Sequence, residues 1–188
     1  WVENKLEKQL TLIDREPDIA LVYSRCEVIS GDGHSTGIIP ERSNLHSGNI
    51  FSALVKENFI PFVSVLISRE SYDSVGGFAS DYKNSTDYNL FLKLSYKYQI
   101  IATQDILCKY REHGENLSHS QYIIGAEESL HSVASFLPDK YAILGMDYQY
   151  TQLVIAHIKD KRILEAVYLS IKYRVMWKVL FRILKKWL

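Results

Sequence analysis

The chain has 188 residues, 47% of them hydrophobic, and its 22 Lys and Arg balance 22 Asp and Glu. That supplies one good-sized core and excludes a disordered or collagen-like polymer, while the neutral balance offers no basic groove for nucleic acid. The charge is uneven: acids outnumber bases through Ser118, whereas the stretch from Ile171 carries Lys172, Arg174, Lys178, Arg182, Lys185 and Lys186 without an acid, so that end suits an anionic partner. Cys26 and Cys108 both lie in apolar strand-like runs and read as buried reduced thiols, which fits a reducing cytoplasm. No apolar run approaches the ~20 residues needed to span a bilayer, and no signal-peptide pattern is visible.

In chain order, Val2 to Arg15 follows an amphipathic helical pattern with Leu6, Leu10 and Ile13 on its apolar face, ended by Glu16-Pro17. Ile19 to Ile29 is a buried strand, Gly31-Asp32-Gly33 a turn, and His34 to Pro40 a second strand leading into a polar loop around Arg42 to His46. Ser47 is placed to cap a helix over Ile50 to Glu57. Phe62 to Ser68 has the pattern of a core strand, and Arg69 to Ser74 that of a short helix closed by Gly76 and Gly77, one of which takes positive φ. Asn84-Ser85-Thr86-Asp87 opens a helix with Leu90 and Leu94 on one face, which puts Asp87 in the first turn, where backbone N–H groups favour a carboxylate. The apolar run from Ile100 to Cys108 is a strand whose polar continuation, Tyr110-Arg111-Glu112-His113, spills into a loop beyond the sheet edge, where α/β proteins bind ligands. From His119 onward the pattern is helical: Gln121 to Phe136, Tyr141 to His157, and Lys161 to the end.

Two residues carry candidate chemistry. Asp87 is a carboxylate suited to removing a proton at neutral pH, although its position leaves a helix-capping role open. His113 can ligate a divalent cation or donate to a diphosphate, with Arg111 adding a permanent charge. His34, His46, His119, His131 and His157 have no comparable setting. From Ile171 to Leu188, bases at helical spacing alternate with Trp177, Leu180, Phe181, Leu184 and Trp187, the composition of an interfacial helix on an anionic membrane surface; a helix packed on the domain with snorkelling lysines stays open.

Over residues 1–118 the chain resembles the inverting family 2 glycosyltransferases of the GT-A fold. Trp1 with Lys5-Leu6-Glu7-Lys8-Gln9 is similar to the Trp and helix that follow the family's acidic metal-binding motif, and Ile19-Ala20-Leu21-Val22-Tyr23-Ser24 to its next strand. Asn58-Phe59-Ile60-Pro61 and Val65 to Glu70 resemble the segment before the acceptor site, Val75-Gly76-Gly77-Phe78 resembles the "GGF" turn, and Tyr110 to Ser118 resembles the "YR.H..N.S" loop. The family places an acid before its catalytic aspartate, where this chain has Thr86.

The resemblance implies an α/β fold, the C-terminal part of a GT-A (Rossmann-like, nucleotide-diphospho-sugar transferase) domain over 1–118, with a helical tail over 119–188. It implies an enzyme fragment, inactive alone, that transfers a sugar from a nucleotide-diphosphate donor to a saccharide or lipid-linked acceptor in bacterial surface polysaccharide biosynthesis. Asp87 would be the general base; Arg111, His113, Gly76 and Gly77 would contact the donor diphosphate; Phe78, Asp81 and Tyr82 would contact the acceptor. The metal would be Mg²⁺ or Mn²⁺, with His113 one ligand and the others upstream of Trp1, where the nucleotide-binding half is also expected. Location would be cytoplasmic, peripheral at the inner face of the cell membrane through residues 171–188. The alternative is a catalytically silent remnant serving as a membrane- or partner-binding module; a metal-dependent hydrolase built on Asp87 and His113 lacks acidic ligands.

Overall fold

The structure, a computed structural model, describes residues 1–14, 18–41, 43–114, 116 and 121–185. Its centre is strand β1 (Ile19–Ile29), in which Ala20 to Tyr23 and Cys26 have no exposed surface. A run apolar on both faces belongs inside a sheet with cover on each side. Strand β4 (Gln99–Arg111) pairs with β1 in parallel along its full length. The other edge of β1 is shared by two antiparallel strands, β2 (Ser35–Ile39) at its C-terminal half and the two-residue β3 (Leu66–Ile67) near its start. The result is an open, mixed four-stranded sheet with helices, an α/β arrangement.

Helix α4 (Thr86–Lys97) covers one side, burying Leu90, Phe91 and Leu94 against Leu21, Tyr23 and Ile100. Helix α1 (Lys5–Ile13) also packs on the sheet, but rotated about a quarter turn from the face its periodicity predicts. Leu6 and Leu10 are 44% and 46% exposed, while Lys5 and Gln9 are fully buried. The cause is non-local. The expected strand over Phe62 to Ser68 is instead a 3₁₀ turn, Phe62–Ser64, followed by β3, so carbonyls at its irregular start lack strand partners. Gln9 Nε2 donates to Ser64 O (2.8 Å), and Lys5 Nζ donates to Gln9 Oε1 (2.6 Å) and Val65 O (3.4 Å). Satisfying buried carbonyls outweighs placing two leucines inside. The helix stop at Arg15 to Pro17 and the loop residue Arg42 lie outside the described residues.

Helix α2 is shorter than expected, Phe51–Leu54, and Ser47 does not cap it; Ser47 Oγ accepts the Ala102 N–H (2.9 Å), tying the loop to β4. Helix α3 (Arg69–Ser74) is capped by Ser68 Oγ, which accepts the Ser71 N–H, and ends in Gly76 and Gly77, both at positive φ (+76° and +62°).

The tail contains α5 (Tyr122–Ala134), α6 (Lys140–Lys159), α7 (Ile163–Lys172) and α8 (Met176–Lys185). Val133 of α5 and Ala142 of α6 belong to the same core as β1 and α4. The contact of α6 with α2 is close because residue 145 is glycine: a Cβ there would lie 2.8 Å from Val55 Cβ and 2.9 Å from Val55 O. One turn on, Gln149 Nε2 donates to that same carbonyl (2.8 Å) and to the Tyr88 hydroxyl (3.1 Å). A second small core joins Val154, Ala166, Val175 and Val179.

The single basic helix expected over 171–188 is two helices. Arg174 takes φ +55°, outside both, so the chain turns between α7 and α8. Val175 and Val179 are buried against α6 and α7, Lys178 pairs with Asp147, and Arg182 lies 5.1 Å over the Tyr148 ring. Lys186 to Leu188 lie outside the described residues. Among the described residues no helix is long and apolar enough to cross a membrane.

Candidate functional site

The site forms where α4 begins. Ser85 is the N-cap residue but makes no side-chain cap; its Oγ donates to Gly125 O of α5 (3.0 Å). The capping is done from the tail. Glu128 of α5 accepts the backbone N–H groups of Lys83 (2.6 Å), Asn84 (2.9 Å) and Ser85 (2.7 Å). Burial opposes ionisation of Glu128, but the three N–H donors and the Lys83 ammonium outweigh it and hold its carboxyl below the usual range. With Glu128 in that role, Asp87 is left to accept the Tyr88 N–H (2.7 Å) and to line the surface cleft.

Asp87 stands at the junction of two clefts. One, of about 610 Å³, runs from Asp87 past Pro61 to Pro40 and Glu41; the other, of about 570 Å³, runs past Asn84 and Ser85 to His113 and Asn116. Asn58, Phe62, Asp87 and Tyr110 line both. Burial pushes the Asp87 carboxyl above its ordinary range, partly offset by the N–H groups of Tyr88 and Asp87 itself and by the Asn58 amide. The cleft on the Pro61 side is acidic, holding Glu41, Glu57 and Asp87, whereas the His113 cleft holds Asp87 as its acid; no Lys or Arg is among the described residues that line either.

His113 is thus brought to the same cleft as Asp87. Its loop is closed by Asn116, whose Oδ1 accepts the His113 N–H (2.9 Å) and whose Nδ2 donates to the Tyr110 hydroxyl (3.0 Å). Leu117 and Ser118 lie outside the described residues. Arg111 lies apart: its guanidinium donates to Ser30 O (3.1 Å) and Gly31 O (2.8 Å), fastening β4 to the β1–β2 turn. Asp81 is exposed in a turn, and the Tyr82 hydroxyl accepts from Ser132 Oγ (3.1 Å), so Tyr82 faces α5. Neither lines the two clefts.

The glycine turn reaches the site through one intermediary. Lys93 Nζ donates to Gly77 O (2.7 Å), and the Phe78 ring meets Phe62 edge-on at 5.9 Å. A Cβ on Gly76 would enter open space, whereas one on Gly77 would fall 2.7 Å from the Tyr72 ring, whose hydroxyl accepts the Phe78 N–H (3.3 Å). Gly76→Ala is therefore expected to cost only left-handed strain, about 1 kcal/mol. Gly77→Ala adds displacement of Tyr72 and should cost about 2 kcal/mol in thermal or urea unfolding. Equal losses would show that Tyr72 does not hold the turn.

Sequence reasoning did not single out Asn58, Phe62 or Glu128 as site residues. Asn58 opens one of the stretches that resemble the region before the acceptor site and Phe62 directly follows it, but their residue types carry no catalytic signature. Phe62, 52% exposed, was legible only as a strand residue, and nothing near Glu128 in the sequence connects it to Lys83 to Ser85.

The residues present do not by themselves fit a divalent cation. Among the described residues no group of three His, Cys, Asp or Glu side chains is placed to hold a metal ion. The fold and site define a mixed α/β protein with an acidic, carboxylate-centred double cleft. No protein-family model matches the chain, and no curated protein matches it.

Proposed function

We propose that residues 1–118 are the acceptor-side part of a GT-A domain and that the protein is an inverting, nucleotide-sugar-dependent glycosyltransferase. The observation that carries this is the position of Asp87 at the junction of two clefts, one of which also holds His113. An acceptor hydroxyl lying on the Pro61 side would lose its proton to Asp87 as its oxygen attacks the anomeric carbon. The bond to the nucleoside diphosphate breaks on the opposite face, and configuration inverts. Burial that raises the Asp87 pKa makes it a stronger base for that step. Phe62 offers an exposed aromatic face for a sugar ring.

The acidic cleft on the Pro61 side suits a neutral saccharide acceptor and not a diphosphate. In this proposal Mg²⁺ or Mn²⁺ neutralises the leaving group, held by carboxylates from the nucleotide-binding half that the resemblance implies. The exposed Leu10, which lines a surface hollow with Leu66 and Ile67 of the two-residue edge strand β3, supports a further layer of chain at that edge. Gly76, Gly77 and Phe78 act through Phe62, His113 faces the donor side, and Arg111 stabilises the loop that carries it. The proposal places the protein in the cytoplasm, peripheral at the inner face of the membrane, in polysaccharide assembly.

The test is release of nucleoside diphosphate from UDP-, GDP- and dTDP-sugars by the product of the gene's whole reading frame. Acceptor-dependent release from one donor is expected, together with a strand ending in Asp-x-Asp ahead of Trp1. Absence of both would leave the binding-module alternative.

A further inference from the structure

We infer that the outward face of α7, with Trp177 at the start of α8, seats on an anionic phospholipid surface. Ile163, Leu164, Val167, Tyr168 and Ile171 recur at helical spacing and form one stripe. Every one of them is exposed, Leu164 to 84%, while the buried positions of α7 are the small residues Ala166 and Ser170. A helix packed for its own domain has the reverse arrangement. Trp177, three residues beyond Arg174, is 83% exposed. Single exposed apolar residues are ordinary, but a five-residue stripe marks an interaction face.

Charge decides what covers it. Trp177 lines a groove of about 740 Å³ between α6 and α8, together with Leu144, Tyr148 and three bases, Lys56, Lys178 and Arg182. Asp147, the acid in that lining, is paired with Lys178, while Lys56 and Arg182 lie over the Tyr148 ring at 5.9 Å and 5.1 Å. Lys172 and Arg174 follow the stripe and are exposed. Cations beside an aromatic anchor match phosphate headgroups above an acyl boundary. A second copy of the chain would set the same surplus of positive charge against itself. The contact extends the basic segment read in the sequence, residues 171–188, back along α7, because α8 turns its valines inward and α7 turns its apolar stripe outward.

The test is sedimentation of the purified chain with phosphatidylcholine vesicles, with and without phosphatidylglycerol. Binding to the anionic vesicles is expected, released by high salt. Leu164→Glu combined with Trp177→Ser should weaken it about tenfold or more, by removing inserted apolar area. Lys56→Glu with Arg182→Glu should weaken it about tenfold or more on anionic vesicles alone. All of these side chains reach the surface, so the variants should melt with the parent, which separates lost binding from lost fold. Equal binding to both vesicle types, or variants that bind like the parent, overturns the inference. So does a dimer that Leu164→Glu dissociates in a chain that ignores vesicles. The readout needs no transfer activity and is unaffected by whether that proposal holds.

Discussion

Under the proposed glycosyl transfer, Asp87→Asn is expected to lower the rate by about 10²–10⁴-fold, the range for loss of a positioned general base, with donor binding little changed. The substitution keeps the shape of the side chain and an oxygen able to accept the Tyr88 N–H, so the start of α4 should persist. The sign of the stability change is also fixed. Burial raises the folded-state pKa of Asp87 above its unfolded value, so the native state holds that proton more tightly. Its ionisation therefore lowers stability as pH rises through the folded pKa, the opposite of a salt-bridged carboxylate. Asn cannot ionise, so the variant should be at least as stable as the parent at neutral pH while losing activity. In the parent, the acid limb of the activity profile should lie above the ordinary carboxylate range. A variant that keeps full transfer rate with unchanged donor binding would remove Asp87 from the mechanism.

Glu128→Ala is expected to destabilise the fold by about 3 kcal/mol, because three backbone donors at the head of α4 lose a charged acceptor at once. For a domain of this size that corresponds to a fall in Tm of about 6–12 °C. The Glu128 pKa is depressed in the folded state, so its contribution is present above the unfolded carboxyl pKa and is lost as pH falls through the folded one. The variant should accordingly show a flatter loss of stability towards acid than the parent. Because Glu128 holds Lys83 to Ser85 directly ahead of Asp87, transfer activity should fall as well, although Glu128 lines neither cleft at Asp87. Urea unfolding across pH measures both effects. A loss below about 1 kcal/mol would mean that Ser85 or water takes over the cap.

How much of this could be read from the sequence depends on how local the controlling interaction is. The continuous apolar run of β1 announces a buried strand, and the double glycine announces the end of α3, since these follow from neighbouring residues alone. The sidedness of α1 could not be read. Its periodicity favours Leu6 and Leu10, and the carbonyls of Ser64 and Val65 that draw Lys5 and Gln9 inward belong to a turn far along the chain. The division of the basic tail into α7 and α8 was likewise hidden, because Arg174 in the left-handed region is unfavourable locally and is held there by packing on both sides.

The site divides in the same way. Local chemistry nominates Asp87 as a carboxylate at a helix start and His113 as an imidazole beyond a strand end. It does not distinguish Arg111, which the fold directs to backbone carbonyls, from His113, which the fold directs to the cleft.

By itself, then, the sequence determined the positions of β1, β2, β4, α3, α4 and the first tail helices and which residue types could carry proton transfer, because periodicity, glycine and first-turn chemistry act over a few residues. Only the tertiary structure decided which faces are buried, that Glu128 takes the capping role at the head of α4, and that Asp87 and His113 share a cleft. Those outcomes depend on buried carbonyls and N–H groups finding partners, and the partners they find are tens of residues away.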